Sequence, residues 1–263
     1  MLNKDKIFFT DTDRSKKGKH MLITPANSYM KYLSYGRITM DSGTKPEVIE
    51  TGGEEVALIC VSGKADITFG GESYSLVPYD SVYLPRAYQC SIETGSELNL
   101  IMVSAPSEGK YEPAVVRYSK AVKKGFVRGD PPFKRKNIDL MWMDFEAERL
   151  LVRRAEVEAG NWLWPPHKHP NATLEEIYAY PELTNPSFVV QFAYADEDFG
   201  RTDIASILRE GNAAAFPNNI YHSMVCSPDE KLVLMCLIAV HDPQKRKTAM
   251  LEFQPEFDSE LGK

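Results

Sequence analysis

Apolar positions in this chain come in short runs, cut by glycine, proline and charged residues. Glu55-Val-Ala-Leu-Ile-Cys-Val61 ends at Ser62-Gly63, and Lys64-Ala-Asp-Ile-Thr-Phe69 ends at Gly70-Gly71. Tyr74-Ser-Leu-Val77, Ser81-Val-Tyr-Leu-Pro85 and Leu98-Asn-Leu-Ile-Met-Val103 follow. Short runs rich in β-branched and aromatic residues, with turn residues between them, predict strands of a sandwich or barrel. The pattern resumes with Leu150-Leu-Val-Arg-Arg-Ala-Glu-Val157, the alternating Glu176-Ile-Tyr-Ala-Tyr180, and Ser187-Phe-Val-Val-Gln-Phe-Ala-Tyr194. Ala213-Ala-Ala-Phe-Pro217 and the run from Leu232 to Val240 close it. Helical signal is scarce: Ile204-Ala-Ser-Ile-Leu-Arg209 offers a turn or two at most. The fold class expected is all-β.

The stretch between about 105 and 137 is rich in Gly, Pro and Lys and reads as a connecting segment. It divides the chain into an N-terminal unit, 1–115, and a linker with a C-terminal unit, 116–263. The halves echo each other. Asp80 to Pro85 followed by Gln89 parallels Gly211 to Pro217 followed by His222. Each is a turn residue, a strand, a proline and then one polar side chain, as in a duplicated barrel.

With 263 residues there is enough chain for two ordinary domains, and 43% apolar with 26% charged residues is an ordinary globular composition. The net charge of −6 gives no electrostatic reason to seek nucleic acid or anionic lipid. The basic run Arg14-Ser-Lys-Lys-Gly-Lys19 is too short for a docking patch. The first ten residues lack the apolar core of a signal peptide, and the nine-residue run ending at Val240 is too short to span a bilayer as a helix. Cys60, Cys90, Cys226 and Cys236 are scattered without a CxxC and read as buried thiols, which points to the cytoplasm. Leu- and Met-rich strands leave room for a homo-oligomer, although no segment marks its interface.

Candidate chemistry lies in the histidines. There are five, and two of them form His167-Lys-His169. Residues i and i+2 of a strand share a face, so this pair puts two imidazoles at the spacing one ion can bridge. Trp164-Pro-Pro166 just before it enforces an extended approach. Glu176 opens a later strand, with Glu175 as its competitor, and His222 follows Pro217. Three imidazoles and one carboxylate suit Zn, Mn or Fe and disfavour Mg or Ca. His20, in the basic run, and His241, before Asp242-Pro243, read as solvent-facing. Strand alternation puts Tyr178 on the face of Glu176, as a candidate acid/base or substrate hydrogen-bonder. Gln191, polar within Phe188-Val-Val-Gln-Phe192, either points into the cavity or caps a backbone group, and the cavity is expected. Arg153, Arg154 and Arg201 are the cations available should the ligand be acidic, while Lys168 alternates away.

These residues resemble the cupin superfamily. Gly211, five residues, Pro217, Asn218, Asn219, two residues and His222 follow its second motif, with Asn219 where the family has its second glycine. Asn tolerates the left-handed turn that position implies. The first motif is looser: six residues separate Gly160 from His167, and six more separate His169 from Glu176. Ala159-Gly-Asn-Trp-Leu-Trp-Pro-Pro-His-Lys-His169, Leu174-Glu-Glu-Ile-Tyr178 and Glu54 to Asp66 resemble the bicupin isomerases of uronate-type sugars more closely, over roughly residues 20–245. That resemblance implies two jelly-roll barrels in tandem, the first without metal ligands. It favours Glu176 over Glu175 as ligand, and it implies metal-dependent aldose–ketose isomerisation of a small sugar acid, 5-deoxy-glucuronate first among candidates. The alternatives are a metal-dependent cupin dioxygenase and a non-catalytic sugar-binding bicupin.

Overall fold

The computed structural model describes residues 2–10, 16–170, 173–183, 187–195, 204–248 and 251–254. The described residues form four antiparallel sheets. The strands Gly18–Ile23, Ser34–Met40, Glu54–Ser62, Ser81–Leu84, Leu98–Pro106 and Ala114–Val116 form a six-stranded sheet, faced by a four-stranded one. Phe126–Arg128, Arg135–Met141, Leu150–Val157, Leu174–Glu182, Asn212–Phe216 and Leu232–Val240 form most of a seven-stranded sheet, faced by a five-stranded one. Sheet membership therefore changes between Val116 and Phe126. One strand crosses the boundary: Phe8–Thr10 pairs with Asn212 to Ala214 and adds an edge to the second large sheet.

Three apolar layers explain why several strands read as continuous apolar runs. In Glu54–Ser62, Val56, Leu58 and Cys60 fill the interior of the first sheet pair. The alternate residues Ala57, Ile59 and Val61 lie between the two large sheets. Leu232–Val240 divides the same way, with Leu232, Leu234 and Cys236 in the second interior and Val233, Met235, Leu237 and Ala239 between the sheets. A strand buried on both faces has no polar alternation to show.

Two buried carboxylates tie the units together reciprocally. Glu55 accepts the backbone N–H groups of Glu148, Arg149 and Leu150 and the hydroxyl of Tyr83. Glu175 accepts those of Lys31, Tyr32 and Leu33 and meets His241 Nε2 at 3.2 Å. His241 is thus an internal partner and not the solvent-facing residue expected. His20 is half-buried, with Nε2 out of contact with water and partners.

Two other expectations are corrected. Ile204–Leu208 is a strand, paired with Val189 to Ala193, where a helical turn was expected. The segment 105–137 is no simple connection: it carries the strands Ala114–Val116 and Phe126–Arg128, the helix Tyr118–Ala121 and the start of Arg135–Met141. All four cysteines are buried and free.

Candidate metal centre

Strand pairing assembles the centre. His167 lies opposite His222 across a sheet, and their rings come within 4.5 Å, centroid to centroid. His169, two residues on, is 5.3 Å from His167 and 5.4 Å from His222. Glu176 stands opposite Phe216 in the large sheet, and the Phe216 ring stacks on His222 at 4.2 Å. His167, His169, Glu176 and His222 are all buried, and one ligand atom from each falls within a group spanning at most 4.8 Å. Asn219 has φ 63°, the left-handed turn expected at its motif position. Its N–H donates to the His169 carbonyl at 3.0 Å, tying this turn to the His-x-His strand.

The imidazoles are oriented from behind. His167 Nδ1 is 2.9 Å from the Pro165 carbonyl, and His222 Nδ1 is 3.0 Å from that of Ile220. A carbonyl only accepts, so each Nδ1 carries the proton and each Nε2 turns a lone pair toward the centre. Burial lowers both imidazoles, His167 well below its ordinary value with His222 and His169 adding to the effect. Burial pushes the Glu176 carboxyl up, but its contacts with His169 and His222 outweigh that and hold it well below the usual range. Glu176 Oε2 lies 3.2 Å from His169 Nε2 and 3.3 Å from His222 Nε2. His222 Nε2 thus faces a buried anion, a contact that a proton or a metal ion between them satisfies. A divalent metal with N and O ligands satisfies it, so the residues fit such an ion.

Glu175 points the other way, into the N–H groups of the first unit, and takes no part in the cluster. Tyr178 is buried beside Glu176, edge-on to Phe216 and His222. Burial, then the Glu176 charge, raises its hydroxyl well above the ordinary tyrosine value. Gln191, expected in the cavity wall, is instead fully buried behind the site. Its amide accepts from Tyr180 Oη and donates to the Ser223 carbonyl, both at 2.5 Å.

The centre opens into a cavity of about 380 Å³. Its walls include three arginines, Arg128, Arg135 and Arg153. Arg153 stacks on Trp142 and pairs with Asp139. Arg154, one residue on, faces away, between Tyr79, Tyr118 and Glu156. Arg201 lies outside the described residues. Arg135 and Arg128 were missed in the sequence because both fall in the segment read as a connection.

The first unit repeats the framework without the ligands. Ile49 pairs with Cys90 as His167 pairs with His222, and Val56 pairs with Leu84 as Glu176 pairs with Phe216. Thr51 takes the place of His169. Cys90, not Gln89, is the counterpart of His222: Gln89 is exposed, while Cys90 lies in the apolar interior.

A curated 5-deoxy-glucuronate isomerase from Geobacillus thermodenitrificans (strain NG80-2) is 24% identical over 233 residues, which cover 81% of this chain and 82% of the relative. Among solved structures, an IolB-like protein from Salmonella typhimurium LT2 is similar at a TM-score of 0.80 and 20% identity, over 97% of this chain and 99% of the other. A cupin 2 conserved barrel domain protein from Leptotrichia buccalis shares the fold at a TM-score of 0.54 and 14% identity, over 87% and 91% of the two chains. The KduI/IolB family model matches residues 8–254, and the chain belongs to that family.

Proposed function

We propose that this protein is a metal-dependent aldose–ketose isomerase of a uronate-type sugar acid, with 5-deoxy-glucuronate as its substrate. The observation that carries the reading is the buried three-histidine, one-glutamate cluster at the floor of an arginine-lined cavity, in a chain whose curated relative bears that activity. His167, His169, Glu176 and His222 would hold one Zn, Mn or Fe ion. The reaction moves one hydrogen from C2 to C1 and one proton from the C2 oxygen to the C1 oxygen, so atoms and electrons balance within the substrate. Bound there, the ion would supply Lewis acidity toward the carbonyl and its neighbouring hydroxyl.

The chain's own groups do the rest. The Pro165 and Ile220 carbonyls fix the tautomers of His167 and His222. Tyr178, kept protonated by burial, lies beside Glu176 and is the hydroxyl placed to steady its carboxylate. Trp164, Trp142 and Phe253 wall the cavity and limit water around the reacting carbons.

The division near residue 116 into two cupin barrels, the first structural and the second carrying the site, belongs to the same reading. It is supported by the change of sheet membership there. So does a cytoplasmic location, which the four buried free thiols favour. Among the described residues no helix is long and apolar enough to cross a membrane.

The test is proton NMR of 5-deoxy-glucuronate with metal-loaded protein. The reading expects a ketose to grow in, to stop with chelator and to resume when metal is returned. No ketose from protein that holds a full metal equivalent would overturn it, and oxygen uptake in its place would make the protein an oxygenase.

A further inference from the structure

We infer that Arg135 is the carboxylate-binding residue of the cavity, holding the acid end of the substrate while the His/Glu cluster takes the carbonyl end. This deepens the proposed function and rests on it for the identity of the substrate. Arg135 is only 3% exposed, yet no carboxylate among the described residues pairs with it. Its one hydrogen bond among the described residues runs from Nη1 to the Phe133 carbonyl at 2.9 Å, and its Nε is buried without an acceptor. A guanidinium has five N–H donors in a planar fork, shaped for a carboxylate. A buried cation with most of its donors unused calls for an anion that the described residues do not supply.

The surroundings agree. The guanidinium carbon lies 3.3 Å from the centre of the Trp164 ring, which fixes its plane. Arg128 lies over the same ring at 5.5 Å and adds a second positive charge. Arg153, the third wall arginine, is already engaged by Asp139. Against these, Asp130 and Glu176 are the acidic residues of the wall, and Glu176 belongs to the metal cluster. Burial, with the like charges of Arg128 and Arg153, pulls Arg135 down to about 9, and a bound carboxylate relieves that cost.

The spacing admits a six-carbon acid. Trp164 also lies 6.0 Å from His167, centroid to centroid. With the guanidinium 3.3 Å from the same ring, Arg135 and the His167 ring are at most about 9 Å apart. An extended six-carbon chain spans roughly 6 Å between its end carbons, leaving room for one ligand bond and one hydrogen bond.

The experiment measures binding of D-glucuronate and of D-glucose to metal-loaded parent, Arg135→Met and Arg135→Lys by calorimetry, with metal content and circular dichroism as controls. The inference expects glucuronate to bind the parent more tightly than glucose. It expects Arg135→Met to lose about 10- to 100-fold in glucuronate affinity with glucose binding and metal unchanged. Arg135→Lys, which keeps the charge and fills the site, falls between. Equal glucuronate affinity in parent and Arg135→Lys, with Arg135→Met either equal too or unfolded, overturns it. If the parent fails to isomerise 5-deoxy-glucuronate while the glucuronate preference still depends on Arg135, the proposed function falls and the anion site stands.

Discussion

Val56 and Glu176 occupy the same place in two copies of one framework. Val56 stands opposite Leu84, the residue before Pro85; Glu176 stands opposite Phe216, the residue before Pro217. Two residues beyond each proline, Ala87 and Asn219 turn through the same left-handed conformation, at φ 59° and 63°. The two copies differ in what they enclose. In the first, Ile49, Val56 and Cys90 complete an apolar interior. In the second, the equivalent places carry His167, Glu176 and His222.

Exchanging the two residues has asymmetric consequences. Glu176→Val places in the second unit what the first already tolerates, so the protein folds but loses the metal. Val56→Glu buries a carboxylate among apolar side chains and lowers stability by about 3 kcal/mol or more. Urea unfolding of both variants checks this; an unaffected Val56→Glu would contradict the burial argument.

The reciprocal carboxylates, Glu55 and Glu175, each satisfy three consecutive N–H groups of the opposite unit. Glu55→Ala or Glu175→Ala strands those donors and costs about 3 kcal/mol. The denaturation midpoint is the readout. Glu175→Ala is expected to keep its metal, which separates it from its neighbour Glu176.

Glu148 supplies a pH-dependent clasp. Burial pushes its carboxyl up, but hydrogen bonds from the Gly109 N–H at 2.7 Å, the Ser107 hydroxyl at 2.7 Å and the Glu108 N–H at 2.8 Å outweigh it and lower its pKa from 4.5. A carboxyl lowered in the folded state contributes stability that is complete above its unfolded value and lost as pH falls through the folded value. Parent and Glu148→Gln should therefore differ by about 2 kcal/mol at pH 7 and converge below pH 4.5. A difference that stays constant down to pH 3 would contradict the assignment.

Tyr178→Phe removes the hydroxyl beside Glu176 and leaves the ring packed on Phe216 and His222. Groups that orient a metal's ligands are typically worth 10- to 100-fold in affinity. Competition against a chromophoric chelator should show a loss of that size with the fold intact. An unchanged affinity would assign Tyr178 to packing alone.

The cluster was legible in the sequence where chemistry is local. His167 and His169 share a strand face by their spacing, and His222 follows its proline in a recognisable pattern. What depends on partners far along the chain was not legible. His241 reaches Glu175 across 66 residues. Ile204–Leu208 becomes a strand because Val189 to Ala193 lies beside it; in isolation its Ile-x-x-Ile spacing reads as helical. Gln191 was expected in the cavity wall, but Tyr180 and the Ser223 carbonyl take up its amide behind the site. Arg135 is one of 31 lysines and arginines, and nothing near it in sequence says that it is buried beneath Trp164.

The central claim, a metal centre built from His167, His169, Glu176 and His222, is tested most directly by metal analysis of protein purified without chelator or affinity metal. Parent and Glu175→Gln should each hold about one equivalent of zinc, manganese or iron per chain, and His167→Ala and Glu176→Ala should hold none. A parent chain that binds no metal even after reloading, or a Glu176→Ala variant that keeps its full equivalent, would contradict the account.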